Sequence, residues 1–312
     1  MNPFSFFCKK QDPVILFYGH GGWIGTMYIE YLHSNFPNIS IVKGNARIDN
    51  DTEVTHEIEK SNPTHIISFT GRTHGVIDGN PVNTIDYLEY PGKLIENVRD
   101  NLYGPINLAR ICKKHNIHYT YLGTGCIFNS KSIESGFPET FNEDSLPNYF
   151  GSGYSVVKGF TDRLIRDYPV LNLRIRMPIS SVPDKRNFIT KISRYEYVCS
   201  IKNSMTVLED FFPIFTDLIV KKKNGAYNCT NPGIISHNEI LEMYKQIVDN
   251  KFTWKNMTLE QQNAILKSER SNNSLDTKKI QQSYPKLRNI NDAIIVTLNK
   301  MALKLDLNIN LM

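Results

Sequence analysis

The chain predicts an α/β fold with a doubly wound parallel sheet, on three observations. Short apolar strands alternate with amphipathic helical stretches through residues 14–177, the first strand runs straight into spaced glycines, and the last third loses the alternation. Strands are expected near 14–18, 39–43, 65–70, 117–123 and 171–177. Between Pro91 and Lys114, the residues Leu94, Ile95, Val98, Leu102, Ile106, Leu108, Ala109 and Ile111 fall at roughly helical spacing, so one side of that stretch is expected to cover the sheet. After Pro178 a segment rich in Asn, Ser, Pro and Lys leads to helical stretches near 188–196, 206–222 and 236–249, with a last helix near 291–303. The expected organisation is therefore a dinucleotide-fold portion over 1–179 and a smaller portion over 180–312, of which about 205–231 returns to the sheet at Gly225-Ala-Tyr-Asn-Cys-Thr230.

The glycine segment is Val14-Ile-Leu-Phe-Tyr-Gly19-His-Gly-Gly22-Trp-Ile-Gly25. It reads as the dinucleotide-binding turn of a Rossmann-type sheet: the chain turns sharply at Gly19, approaches a pyrophosphate at Gly22 and packs helix against strand at Gly25. The following helix would offer unpaired backbone N–H groups and its positive dipole end to the phosphates. Tyr18 is expected to crowd this turn. At the end of the second strand an acidic residue would mark NAD; this chain has Lys43 and Arg47, with Asp49 arriving later, which favours the 2′-phosphate of NADPH and leaves NADH possible.

Composition excludes several classes. The net charge of +5 is dispersed, and the longest basic run, Lys221-Lys222-Lys223, lacks the interleaved aromatics that nucleic-acid binding needs. No apolar run approaches membrane-spanning length, and the stretch carrying Phe4, Phe6 and Phe7 is too short for a signal peptide. The five cysteines Cys8, Cys112, Cys126, Cys199 and Cys229 form no close pair and no metal spacing, which argues for a reducing, cytoplasmic setting and no metal site.

A second chemical pattern is Gly151-Ser-Gly-Tyr154-Ser-Val-Val-Lys158 on an expected helix. Tyrosine and lysine four residues apart share one helical face. A phenol is a poor acid or base at neutral pH, but an adjacent ammonium and an oxidised nicotinamide both favour phenolate. Tyr154 is thus expected to donate a proton to a carbonyl oxygen, and Lys158 to hold the nicotinamide ribose.

The glycine turn, Tyr154-x-x-x-Lys158 and Asn101 together resemble the extended short-chain dehydrogenase/reductases. Further runs narrow the resemblance: Arg174-Ile-Arg-Met-Pro-Ile-Ser-Ser181, Arg186-Asn-Phe-Ile-Thr-Lys-Ile-Ser-Arg194, Asn203-Ser-Met-Thr-Val-Leu208, Asn231-Pro-Gly-Ile-Ile-Ser-His-Asn-Glu-Ile240 and Arg270-Ser-Asn-Asn-Ser-Leu-Asp276 are similar to the bifunctional nucleotide-rhamnose synthases. Those are 3,5-epimerase/4-reductases of UDP- or dTDP-4-keto-6-deoxyglucose, related to dTDP-4-dehydrorhamnose reductases and known from plants and giant DNA viruses. The likeness runs from Val14 to about Ile294.

The resemblance implies site roles. Thr124 would hydrogen-bond the substrate carbonyl beside Tyr154; Cys126 would be the base and Lys191 the opposing acid that invert the carbons flanking the ketone. Dehydratases of the wider family carry Asp-Glu where this chain has Gly125-Cys126, so dehydration is not expected. Trp23 and Ile24 would lie with the glycines along the cofactor, Ser68, Thr70 and Gly71 beside its adenine and ribose, and Met177 to Ile179 beside the nicotinamide. Arg270, Asn272 and Asn273 would hold the nucleotide diphosphate and Asn187 the sugar. A homodimer, a separate 4,6-dehydratase supplying the substrate, and host cytoplasm for a viral version follow as family expectations. Two other readings stay open: a single-function ketoreductase or fucose-synthase-like enzyme, and a non-catalytic cofactor-binding regulatory subunit.

Overall fold

In the computed structural model, which describes residues 12–130 and 139–309, six strands form one parallel sheet. They are β1 (Val14–Tyr18), β2 (Ser40–Lys43), β3 (His65–Ser68), β4 (His118–Thr124), β5 (Val170–Ile175) and β6 (Gly225–Asn228). The spatial order is β2-β1-β3-β4-β5-β6. Register is set by pairs such as Leu16 with Val42 and Ile66, Tyr121 with Ser68 and Asn172, and Tyr227 with Leu173. β1 and β4 are rich in β-branched and aromatic residues, and β1, β4 and β5 are covered on both faces, as parallel strands require. Cys8 and the phenylalanines Phe4, Phe6 and Phe7 lie outside the described residues.

Helices α1 (Trp23–Asn35), α2 (Asp51–Ser61), α3 (Lys93–Val98), α4 (Gly104–His115), α5 (Gly153–Ile165), α6 (Phe188–Ile192), α7 (Leu208–Val220) and α8 (His237–Ile247) follow in order. On one face of the sheet, α1 and α7 bury Tyr28, Leu32, Phe211 and Phe215 against Phe17 and Leu173. The opposite face is covered through Val54, Leu108, Ile111 and Ile165 against Leu16, Ile66, Tyr119 and Tyr121. A separate core of Ile179, Ile189, Met205, Ile240, Leu241, Ile294 and Leu298 joins α6 and α8 to the C-terminal helix Ile290–Ile309. Among the described residues no helix is long and apolar enough to cross a membrane.

Two expectations are corrected. The stretch from Pro91 to Lys114 is helical from Lys93 to His115, as expected, but a π turn over Arg99–Tyr103 interrupts its α-helical register between α3 and α4, so it does not present one continuous face to the sheet. A π turn inserts an extra residue and rotates the faces on its two sides out of phase. Leu108, Ala109 and Ile111 accordingly meet the sheet, whereas Leu94, Ile95 and Val98 are 62%, 73% and 38% exposed. Nor does Tyr18 crowd the glycine turn. Its buried ring lies over Gly44, where a Cβ would sit 2.5 Å from the ring, so a second glycine makes the room.

Candidate active site

The chain order reverses between β1 and β3, and the crevice beyond their carboxyl ends is where open α/β sheets bind ligands. Gly19 leaves β1 at φ +82°, and a Cβ there would meet the Phe69 carbonyl carbon at 2.7 Å. A Cβ on Gly25 would stand 2.2 Å from the Gly19 oxygen, so α1 approaches the strand as only glycine allows. Gly22 donates its N–H to Gly19 O at 3.1 Å and sits at the N-cap with no side-chain cap, and Trp23 and Ile24 open the helix, packed against the core that α1 shares with α7. Beside it, Ser68 and Thr70 share a 2.7 Å hydroxyl hydrogen bond. Asn101, in the π turn, accepts from the Arg72 N–H at 2.9 Å and donates to the Arg72 carbonyl at 2.8 Å, closing over Gly71. The short turn, close helix and uncapped N–H groups fit a dinucleotide pyrophosphate. Arg47 stands at the far end, 3.0 Å from Asp49 and 2.9 Å from Asp100.

The second side of the crevice is α5. Ser152 caps it by accepting from Ser155 N at 3.1 Å. Tyr154 and Lys158 are both buried, and the Lys158 ammonium donates to the Tyr121 hydroxyl on β4. Burial draws Lys158 down to about 7, against the opposing pull of Asp162 and Cys126. Tyr154 is pushed above the ordinary phenol range, first by burial and then by Cys126, while Thr124 hydrogen-bonds it in the lowering direction. Burial therefore outweighs the lowering that the Tyr154–Lys158 spacing alone suggests. Thr124 also accepts the Cys126 N–H at 3.0 Å, which joins the hydroxyl, the phenol and the cysteine in one cluster.

Cys126 follows the end of β4 and is part-exposed, whereas Cys112, Cys199 and Cys229 are buried. Its loop is clamped from the C-terminal portion: Asn273 Nδ2 donates to Gly125 O at 2.9 Å and to Phe128 O at 2.7 Å. Lys191 on α6 is part-buried and held below the usual lysine range, first by burial and then by Arg270 and Arg186, with Asp184 opposing. Arg270 is paired with Asp86. Burial pushes the Asp86 carboxyl up, but Arg270 and Thr84 overcome it and hold it near about 2. Arg270 is an electrostatic neighbour of Lys191 and of Tyr149, and Tyr149 is one of Cys126, so the two ends of the cleft are linked through that pair.

No family model matches the sequence. Protein L780 of Acanthamoeba polyphaga mimivirus is 50% identical over 288 residues, 92% of this chain and 98% of that one. The crystal structure of the L780 UDP-rhamnose synthase matches with a TM-score of 0.88 at 49% identity, covering 93% of this chain and 99% of that chain. The bifunctional dTDP-4-dehydrorhamnose 3,5-epimerase/dTDP-4-dehydrorhamnose reductase of Arabidopsis thaliana is 39% identical over 286 residues, 90% of each chain. The chain belongs to the nucleotide-rhamnose synthases. At the level of fold alone, this rhamnose-synthase chain also matches a dTDP-4-dehydrorhamnose reductase from Bacillus anthracis, with a TM-score of 0.76 at 16% identity over 94% of this chain and 99% of that one.

Several residues expected to touch ligand are also tied into the protein by hydrogen bonds in this rhamnose-synthase chain. Asn187 is fully buried: it donates to Ser180 O at 2.7 Å and Val182 O at 3.0 Å and accepts from Ile189 N at 3.2 Å, capping the helix that carries Lys191. Asn272 accepts from Asn203 at 2.9 Å and donates to Arg270 O at 3.3 Å, and Asn273 is the loop clamp described above. Their amides are anchored to backbone and to Asn203, while the Asn273 Oδ1 is buried without a hydrogen-bond partner. The Ile179 side chain is enclosed in the C-terminal core, and Met177, at φ +41°, makes the turn that precedes it. Sequence reasoning missed Tyr121, Arg176, Tyr149 and Asp86; each gains its place from partners distant in the chain.

Proposed function

We propose that the chain is a bifunctional 3,5-epimerase/4-reductase converting UDP-4-keto-6-deoxy-D-glucose to UDP-L-rhamnose with NADPH. One observation carries the reading: the part-exposed cysteine stands two residues beyond Thr124, in the same cluster as a buried tyrosine and lysine, while the other described cysteines are sealed in cores. A plain ketoreductase needs the hydroxyls and the lysine but has no use for a thiol there. The UDP form follows the 50% identical relative, whose structure is described as a UDP-rhamnose synthase.

In this reading Thr124 and Tyr154 hydrogen-bond the C4 carbonyl oxygen, so negative charge developing there on loss of a neighbouring proton is stabilised. The Cys126 thiolate takes the proton from C5 and then from C3, and Lys191 delivers one to the opposite face each time; between inversions the pair resets by exchange with solvent. NADPH, when bound, supplies the hydride that reduces C4. Tyr154 then protonates the resulting alkoxide, and Lys158 orients the nicotinamide ribose. Gly19, Gly22, Trp23, Ile24 and Gly25 hold the pyrophosphate, with Ser68, Thr70, Gly71 and Asn101 beside the ribose and adenine and the Met177–Ile179 backbone beside the nicotinamide. Residues 1–179 form the cofactor portion and 180–312 the substrate portion, with 205–231 lending α7 and β6 to the sheet. The Asp86-paired Arg270 is retained as the diphosphate cation.

The preference for NADPH rests on the charge around Arg47. Arg47, Arg72, Arg99 and Lys93 stand against Asp49, Asp100 and Glu96, four cations to three carboxylates, with Lys43 close by in sequence. A homodimer is the proposed assembly: α3 and α5 pack side by side, and Leu94, Ile95, Phe160 and Leu164 are 62%, 73%, 55% and 45% exposed on them, an apolar surface that a second copy would cover. A separate 4,6-dehydratase supplies the ketone, and the reaction belongs in a reducing cytoplasm. The test is NADPH oxidation with UDP-4-keto-6-deoxyglucose and chromatography of the product. UDP-L-rhamnose is expected; NADPH consumption without rhamnose would assign a single-function reductase.

A further inference from the structure

Strands Gly75–Ile77 and Asn80–Val82 pair as a small antiparallel hairpin, with Gly75 opposite Val82, Val76 opposite Pro81 and Ile77 opposite Asn80. Alternate residues of a strand face opposite ways, so Ile77 and Val82 share one face and Val76 and Pro81 the other. The second face is turned to solvent, with Val76 60% exposed. The first packs on the turn Ile85–Glu89: Ile77, Val82 and Ile85 gather with Tyr87, Leu88, Tyr154 and Cys126 in one apolar cluster. Gly75 makes the approach possible, since a Cβ there would stand 2.3 Å from the Tyr87 ring.

The turn is tied to both walls of the cleft. Glu89 Oε1 accepts the Gly153 N–H at 2.7 Å, one residue before Tyr154. Asp86 accepts from Lys267 N at 2.9 Å and Ser268 N at 3.0 Å and pairs with Arg270. The turn therefore runs from the start of α5 to the loop that carries Arg270, and it holds the apolar face of the hairpin against the reacting groups. Tyr87, Leu88 and Tyr154 are buried in the cluster, but Ile77, Val82 and Ile85 are only half-buried, as is Cys126. Apolar surface thus stays open beside the cysteine.

We propose that Ile77, Val82 and Ile85 seat the C6 methyl group of the 4-keto-6-deoxy sugar and so select against sugars that carry a hydroxyl at C6. The inference rests on Tyr154 binding the C4 oxygen and Cys126 taking the C5 proton. C6 is bonded to C5, so a sugar held by both groups carries its methyl one bond from the carbon on which the sulfur works, beside the same cluster. During inversion C5 flattens and the methyl crosses the mean plane of the ring, and an open apolar face receives it in both positions where a closed slot would not. A hydroxymethyl group has the same carbon but adds a hydroxyl to which Ile77, Val82 and Ile85 offer no hydrogen bond, and burying it unpaired is unfavourable. An apolar pocket rejects an added hydroxyl by on the order of 100-fold at most.

The experiment measures kcat/KM for NADPH oxidation with UDP-4-keto-6-deoxyglucose and with UDP-4-ketoglucose, which carries the C6 hydroxyl, together with deuterium uptake at C5. Wild type, Ile77→Thr, Val82→Thr and Val76→Thr are compared, each with a thermal melt. Wild type is expected to favour the deoxy sugar by about 10–100-fold. Ile77→Thr and Val82→Thr put a hydroxyl on the inner face and are expected to cut that preference by about threefold or more, whereas Val76→Thr, on the outer face, leaves it unchanged. The two inner positions lie on a surface hairpin, and if one variant fails to fold the other carries the test. Activity lost equally toward both ketones is what damaged packing alone would give; it would overturn the seat and leave the bifunctional reading intact, as would a wild-type ratio near one. A ratio that responds as expected in an enzyme that takes up no deuterium at C5 would sink the base assignment while the seat stands. Wild type that oxidises NADPH with neither ketone would overturn both.

Discussion

The Lys158 ammonium donates to the phenol of Tyr121 on β4 and lies 4.5 Å from the centroid of that ring. Tyr121 is therefore the partner that makes a buried cation tolerable at the floor of the crevice. Because burial draws Lys158 to about 7, its ammonium is present below that pH and is lost above it. The expected result is a kcat/KM for NADPH that falls as pH rises through about 7. Tyr121→Phe removes the acceptor and shifts the fall to lower pH; Lys158→Met is slow at every pH. A pH–rate profile of the three proteins decides this, and an unshifted Tyr121→Phe profile counts against it.

Asp162 ties α5 to β5 by accepting from both arms of fully buried Arg174, from Asn172 at 2.9 Å and from Arg166 at 3.2 Å. Asp162→Asn would leave an uncompensated guanidinium in the core and is expected to cost about 3–5 kcal/mol. Chemical denaturation measures it, and a loss below about 1 kcal/mol would mean that water reaches the pair.

Acid should weaken the fold at the other end of the sheet. His65 and His118 are buried with ring centroids 5.4 Å apart, and His65 is lowered from 6.5 to about 4, first by burial and then by His118 and Lys222. A lowered histidine binds fewer protons folded than unfolded between those values. The stability it contributes is thus complete above about 6.5 and is lost as pH falls toward about 4. The loss amounts to about 3 kcal/mol. Melting temperatures from pH 7.5 to about 4.5 should drop less in His65→Gln than in wild type; parallel curves would refute the assignment.

Arg47→Ala should raise KM for NADPH severalfold and leave KM for NADH nearly unchanged, because only the former has a phosphate to lose. Equal changes for the two cofactors would make Arg47 a partner of Asp49 and Asp100 alone.

How far the chain could be read depended on the range of each interaction. The glycine turn, the strands and the Tyr154–Lys158 face are local patterns, legible because period and backbone freedom are written in neighbouring residues. The π turn at Arg99–Tyr103 is not legible because the stretch keeps a helical periodicity on both sides of it, a periodicity that points Leu94 and Ile95 inward although both are exposed. The hydrogen bonds that Asn187, Asn272 and Asn273 make within the protein are not legible in the sequence, because what an amide bonds is decided by whatever backbone folds against it. Arg176 reads as an ordinary strand-end arginine until the fold encloses it beneath Cys126.

The most direct test of the central claim is hydrogen exchange with UDP-4-keto-6-deoxyglucose in deuterium oxide, without NADPH, read by NMR at C3 and C5 for wild type and Cys126→Ala. Deuterium entering both positions with wild type, and slowed about 100-fold or more in Cys126→Ala, is the predicted result. Exchange that survives in Cys126→Ala, or wild type that exchanges neither position, would contradict it.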